Sequence, residues 1–393
     1  APAGGSSGAS SAGPGTSGGG ASGSGDNGQP PWEAGTPDPG DGSTGSAESS
    51  TGPSAEAGPT SDGASAGAWP TCTDDMAVDA KPDNSNGRLY PPIAPLLNHK
   101  IRDTYIAPAY NETTPDGLYY LIGTTANKPD AWSTYDGIEL WSSPDLKNWT
   151  YLGFVWTFAE ARQAEPSAWY SQKVTYSSPS HNGGLPYELE VIWAPEIHYI
   201  KGNWYIVFSM PSAYEGMLKS TTGKVTGPYR NAIGGSGSIA KGHIDPDLFL
   251  DTDGAVYWID KDGGGAKMLP DLSGLAEPLR RNISGQATPG DEGAFLFKAF
   301  GQYYFDVTVG RASTPDGKYS SWLMSSGSIW GSYAPRYEAV PDGGHNNYFR
   351  DKNCKMWSTM FGNDTKAPVY NLPAIVPVEF DSSHRVRVDF DPR

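Results

Sequence analysis

The chain has 393 residues, with 28 Lys and Arg against 44 Asp and Glu and a formal net charge of −16. So large an acidic excess argues against nucleic acid and anionic membrane as partners and leaves neutral ligands open. No run of about 18 apolar residues occurs, so no segment reads as a transmembrane helix.

Residues 1–70 are mostly Gly, Ser, Ala and Pro, with acidic residues from Asp26 to Asp62 and no Lys or Arg before Lys81. A stretch so poor in large apolar side chains cannot bury enough surface to offset its ordering entropy, and it reads as a disordered, self-repelling tether. No signal peptide is visible. A start at Ala1 in linker-like sequence suits a mature, processed form, secreted or at the cell surface.

Residues 71–393 read as one large all-β domain. Helical periodicity is nearly absent, and aromatic-rich runs of strand length recur. One unit repeats: an apolar strand, a tight turn and a strand with paired aromatics. Its copies begin at Pro115, Ile197, Leu248, Phe295 and Tyr348. The last four are spaced by about 50 residues, a period that suggests propeller blades. The first gap is longer, which places an insertion at Ala159 to Glu190 carrying Trp169, Tyr170, Tyr176 and Tyr187. These rings are expected to narrow an open groove into a pocket. Five units of four strands predict a five-bladed β-propeller. The segment Val376-Pro-Val-Glu-Phe is expected to help close the ring. The two cysteines, Cys72 and Cys354, fit no metal motif; a disulfide joining the two ends of the domain and two separate thiols both remain open.

The innermost strand of each blade delivers side chains to one axial cavity. Three carboxylates precede three of the hairpins: Asp103 in Lys100-Ile-Arg-Asp-Thr-Tyr, Asp245 in Gly242-His-Ile-Asp-Pro-Asp, and Glu292 in Gly290-Asp-Glu-Gly-Ala-Phe. Any one of them reads as a turn or cap residue. Three at a matching offset read as a site, because an unpaired carboxylate beside an apolar wall is costly. Trp193 is a candidate sugar-stacking wall or a blade-core residue. Glu196 lines the cavity or pairs with a cation, Arg311 is a candidate for binding substrate hydroxyls, and His243 reads as a packing residue.

The order Asp103, Trp193-Ala-Pro-Glu196, His243-Ile-Asp-Pro246, Glu292-Gly293 and Gly344-His-Asn346 resembles glycoside hydrolase family 43 over Pro92 to Asp389. The resemblance implies a five-bladed propeller that hydrolyses plant polysaccharide or oligosaccharide with inversion. It casts Asp103 as general base, Glu292 as general acid and Asp245 as the carboxylate that orients the acid and adjusts its pKa. It favours an exo-acting α-L-arabinofuranosidase, with β-xylosidase, exo-β-1,3-galactanase and β-galactofuranosidase as alternatives. It implies no required cofactor, a monomer, and a structural calcium or similar ion on the propeller axis near His345, held mostly through water. Two positions depart from the family pattern: Thr104 and Ala294 stand where Pro is common. A non-catalytic carbohydrate-binding propeller would lack one of the three carboxylates or have its cavity blocked.

Overall fold

The computed structural model describes residues 68–78, 93–125, 137–172, 174–176, 187–211, 214–234, 237–241, 243–261, 263–281, 285, 290–310, 318–363, 367 and 369–389. Residues 1–67, most of the tether expected from composition, lie outside them. Five antiparallel sheets follow one another along the chain as the blades of a five-bladed β-propeller. Blade one comprises Ile101–Ala107, Tyr119–Thr125, Gly137–Ser143 and Thr150–Thr157. Blade two comprises Trp193–Ile200, Asn203–Met210, Tyr214–Ser220 and Tyr229–Asn231, with Ala240–Lys241 also pairing its third strand. Blade three is Asp247–Leu250, Val256–Ile259 and Gly265–Lys267; blade four is Glu292–Ala299, Gln302–Val309, Ser320–Ser326 and Tyr337–Val340. Blade five is Tyr348–Arg350, Met356–Phe361, Pro373–Phe380 and Val386–Val388.

All five repeats seen in the sequence are the first hairpins of their blades. Two of them turn on Lys201-Gly202 and Phe300-Gly301, where both residues have positive φ (51° and 80°, 50° and 71°). That geometry matches the right-handed twist of the flanking strands. Middle strands are buried on both faces because blades pack against blades: every residue of Tyr119–Thr125 and Gly137–Ser143 is buried.

Blade three departs from the four-strand expectation. After its third strand, among the described residues, the chain makes the isolated bridges Met268↔Leu275 and Gly265↔Arg280 and no further ladder. Pro270 and Pro278 interrupt this segment, and proline cannot donate to a ladder.

The Ala159–Glu190 insertion follows the last strand of blade one. It forms the helix Phe158–Ala164, a 3₁₀ turn at Trp169–Ser171 and the paired strands Val174–Tyr176 and Tyr187–Leu189. The expected pocket wall is not what Tyr170 supplies. Its ring is fully buried, 5.6 Å from that of Trp156, while Trp169 stacks on Phe208 at 5.7 Å and 8°. Burial of these two rings fastens the insertion to blades one and two. The Tyr176 and Tyr187 backbones pair with each other.

Several ties join the start of the domain to its end. Cys72 and Cys354 form a disulfide with a Cα separation of 5.5 Å. Val78 bridges Phe380 in parallel, and the Leu96 and Ile101 amides donate to the Pro373 and Asn371 carbonyls at 2.8 and 3.1 Å. The predicted closing segment is thus the third strand of blade five, and Val78 and Leu96 pair with its backbone.

Candidate active site

Every blade opens on a residue with positive φ: Asp103 (51°), Ala194 (44°), Asp245 (59°), Gly293 (62°) and His345 (55°). In blades one, two and four this residue sits in a break of register, between Arg102 and Tyr105, Trp193 and Glu196, and Glu292 and Phe295. Left-handed backbone suits glycine and costs other residues about 1–3 kcal/mol each. Hydroxyls on the preceding blade hold three of the four strained positions. The amides of Ala194, Asp245 and His345 donate to Thr124 Oγ1, Ser209 Oγ and Thr308 Oγ1 at 2.7, 2.7 and 2.5 Å. The backbone thereby re-aims side chains at the place where the first strands meet.

The three predicted carboxylates do not share one offset. Asp103 and Asp245 occupy the left-handed position itself, and Glu292 stands one residue earlier, in register with Arg102 and Trp193. Glycine takes the left-handed place in blade four, so the carboxyl comes from its neighbour on a longer side chain.

Asp103, Asp245 and Glu292 nevertheless belong to one electrostatic cluster around His345. His345 Nδ1 lies 3.2 Å from Asp103 Oδ1, and Thr124 Oγ1 donates to Asp103 Oδ2 at 2.5 Å. Asp245 Oδ2 accepts the Gly293 amide at 2.9 Å, which ties it to the residue beside Glu292. Tyr319 donates its hydroxyl to Glu292 Oε2. Arg102, its guanidinium 4.9 Å from the centre of the Phe361 ring, acts on both Asp103 and Glu292.

This arrangement drives the two outer carboxyls apart. Burial alone would raise the Asp103 pKa, but the charge and hydrogen bond of His345, aided by Arg102 and Thr124, hold it below the ordinary aspartate value. Burial and the Asp245 charge lift Glu292 to about 7, against the pull of Arg102. Asp245 is itself raised, chiefly by burial, with His345 opposing and Asp103 adding to the rise. Burial disfavours charge on His345, yet Asp103, Asp245 and Glu292 lift it to about 10. The Asp103 side chain keeps 12% of its surface exposed, whereas Asp245 and Glu292 are buried. One carboxyl held toward its ionised form, with some access to water, thus shares a cluster with one pushed up to about 7, the kind of pair that glycoside cleavage uses.

The other expected residues are spread more widely. Trp193 is buried at the start of blade two, in register with Glu292 of blade four. Glu196 lies one step deeper, with Oε2 3.4 Å from His198 Nε2. Arg311 lies outside the described residues. His243 is buried, with Nδ1 3.3 Å from Asp260 Oδ2. Calcium takes six to eight oxygen ligands. Where the resemblance implies an ion held mostly through water, His345 offers one nitrogen, facing Asp103 at 3.2 Å, among the oxygens of neighbouring carboxyls and Thr308. Sequence reasoning did not single out Arg102, Thr124, Tyr319 or His198. Arg102 directly precedes Asp103, and Glu196 and His198 alternate along one strand; those were the available signals.

The sequence profile described as glycosyl hydrolases family 43 matches residues 95–381. A Bacillus subtilis relative named extracellular endo-α-(1→5)-L-arabinanase 1 is 26% identical over 217 residues, covering 50% of this chain and 59% of its own. An Escherichia coli protein named for β-xylosidase activity is 23% identical over 233 residues, covering 55% of this chain and 38% of its own. The chain therefore spans less than two thirds of either curated relative. Among solved structures, an α-L-arabinofuranosidase from Clostridium thermocellum superposes with a TM-score of 0.51 at 18% identity, over 73% of this chain and 92% of that one. Profile, relatives and architecture agree: the chain belongs to glycosyl hydrolases family 43 and is built on a five-bladed β-propeller.

Proposed function

We propose that the protein is an exo-acting α-L-arabinofuranosidase of plant cell-wall polysaccharide, working by single displacement with inversion. The carrying observation is the opposite displacement of two carboxyls in one cluster, Asp103 below its ordinary pKa and Glu292 up to about 7. In this reading Asp103 takes a proton from a water molecule. The oxygen of that water bonds to the anomeric carbon from the face opposite the leaving group. As the glycosidic bond breaks, Glu292 gives its proton to the departing oxygen. Asp245 keeps Glu292 protonated, and no covalent intermediate forms. Both carboxyls regain their starting states by passing the proton back through water. No step needs a cofactor. Trp193 is assigned to the sugar-stacking wall and Arg311 to substrate hydroxyls.

The choice of sugar rests on the names of relatives, one an arabinanase and one neighbour an arabinofuranosidase. The Escherichia coli relative favours β-xylosidase as the second reading. Secretion is supported by the Cys72–Cys354 disulfide, which oxidising compartments allow, and by the word extracellular in the Bacillus subtilis relative's name. The Gly/Ser/Pro-rich residues 1–70 are assigned as a tether, and the enzyme as a monomer.

A screen of aryl arabinofuranoside, xyloside, galactoside and galactofuranoside, with arabinan and arabinogalactan alongside, tests the sugar. Fastest release from the arabinofuranoside is expected, and fastest release from the xyloside would replace the first reading with the second. Proton NMR of the first-formed sugar tests the mechanism; retained configuration would refute it.

A further inference from the structure

One step below the carboxylates, the first strands of blades two and three bring together Glu196, His198 and Asp247, which the hydrolytic reading does not use. One donor atom from each lies within 4.8 Å of the other two. His198 Nε2 is 3.4 Å from Glu196 Oε2 and 3.9 Å from Asp247 Oδ1. These three atoms are buried, and among the described residues none has a hydrogen-bond partner. Glu196 is 5% exposed, and His198 and Asp247 are 0% exposed. A buried polar atom left unsatisfied costs about 1–3 kcal/mol, so three that converge on one point call for something between them.

The surroundings orient these donors inward. His198 Nδ1 faces the Tyr105 hydroxyl at 3.1 Å and Glu112 Oε1 at 3.4 Å. Held at Nδ1 from behind by the Tyr105 hydroxyl and the Glu112 carboxylate, the ring turns its Nε2 toward Glu196 and Asp247. Metal-binding histidines are held in the same way, with a carboxylate fixing the tautomer from behind. Asp247 Oδ2 is occupied by the Leu296 amide at 2.8 Å, which leaves Oδ1 free to point at His198. One imidazole faces three carboxyl groups here in a buried place.

We propose that Glu196, His198 and Asp247 bind a divalent cation of the zinc or manganese type. Mixed nitrogen and carboxylate donors suit such ions. Tetrahedral bonds of about 2.0–2.1 Å place donors about 3.4 Å apart. The His198–Glu196 separation meets that value, and Asp247 closes it with a small movement. Water takes the remaining position. Glu112, behind His198, also lines a cavity of about 300 Å³ with Trp69, Cys72, Asn111, Arg350 and Asp351. The ion ties blade one, through Tyr105 and Glu112, to blades two and three. This assignment is independent of the sugar and of the hydrolytic mechanism.

The test uses the full chain, stripped with a chelator and titrated with Zn²⁺ by calorimetry and thermal melting. One equivalent is expected to bind and raise the melting temperature. Glu196→Gln and His198→Gln are each expected to weaken zinc at least about tenfold, the lower end of what losing even a supporting residue does. Because His198→Gln could fail to fold, pulsed electron paramagnetic resonance of the Mn²⁺-loaded wild type gives a second reading. Imidazole nitrogen coupling is expected there, and it should persist in His345→Gln. The assignment is overturned if wild type binds less than one equivalent of zinc with no change in melting. It is also overturned if nitrogen coupling is absent, or if binding is lost in His345→Gln and kept in Glu196→Gln.

Discussion

His345 reaches from the start of blade five to the start of blade one and sets its Nδ1 3.2 Å from Asp103 Oδ1. The contact joins the last blade to the first beside two bonds between Asn347 and the Ile106 backbone, at 3.0 and 2.9 Å, so it belongs to the closed ring. Closing the propeller therefore brings up the imidazole that holds the Asp103 pKa below its ordinary value. The imidazole, charged well above its usual range, offsets the burial that would otherwise protonate the aspartate.

Replacing His345 by Gln should move the acid limb of the pH–rate profile upward. The base must be deprotonated to act, and its pKa is depressed chiefly by His345, so loss of that charge returns it toward or above the aspartate norm. At a pH below the new value activity falls, while at neutral pH less is lost. A kcat/KM profile that keeps its acid limb would remove His345 from the account of Asp103.

In the proposed mechanism the alkaline limb belongs to Glu292, pushed up to about 7, because the proton donor must be protonated to act. Tyr319 donates to its carboxylate and so favours the charged form. Tyr319→Phe should accordingly shift the alkaline limb upward. Asp245→Asn removes a charge that raises Glu292 and should shift the limb downward. Opposite displacements from two neighbours form a signature that general loss of structure does not produce. Movement in the same direction would sink the assignment.

Asp103→Asn and Glu292→Gln should differ in their dependence on the leaving group. General acid or base assistance is worth about 10²–10⁴ in rate. Asp103→Asn loses it for every substrate. Glu292→Gln should lose it on natural linkages and recover much of the rate on an aryl glycoside whose phenol departs without protonation. Equal losses on both substrates would show that Glu292 is not the proton donor.

The blade repeat was legible because each copy carries its own turn chemistry and paired aromatics at one period, as in Lys201-Gly202 and Phe300-Gly301. Asp103, Asp245 and Glu292 were legible because carboxylates at the mouths of apolar strands are costly without a purpose. Their offset was misjudged: the left-handed backbone that sets it appears as a glycine only at Gly293, and is carried by Asp103, Ala194, Asp245 and His345 elsewhere. Thr124, Ser209 and Thr308 were invisible for a related reason. A hydroxyl in a strand looks like ordinary strand composition until the amide of the next blade arrives. Tyr170 was misjudged as a pocket wall because an aromatic in an insertion serves equally well to bury the insertion.

The disulfide should account for a measurable share of the domain's stability. Cys72 and Cys354 are 282 residues apart, and they join the segment before blade one to the first hairpin of blade five. A crosslink over so long a loop removes much of the unfolded chain's freedom, for which about 2–4 kcal/mol is typical. The same region is also held by Arg350 to Asp74 at 2.7 Å and by the Phe300 amide to Asp74 Oδ2 at 2.6 Å. The ring should therefore survive reduction and simply melt earlier. A Cys72→Ala, Cys354→Ala variant is expected to keep its activity at moderate temperature and to melt about 5–10 °C lower. Adding a reductant should lower the wild-type melting temperature by a similar amount and leave the variant unchanged. If wild type and variant melt together under oxidising conditions, the closure rests on the Val78–Phe380 pairing and the Asp74 contacts, and the crosslink adds nothing to it.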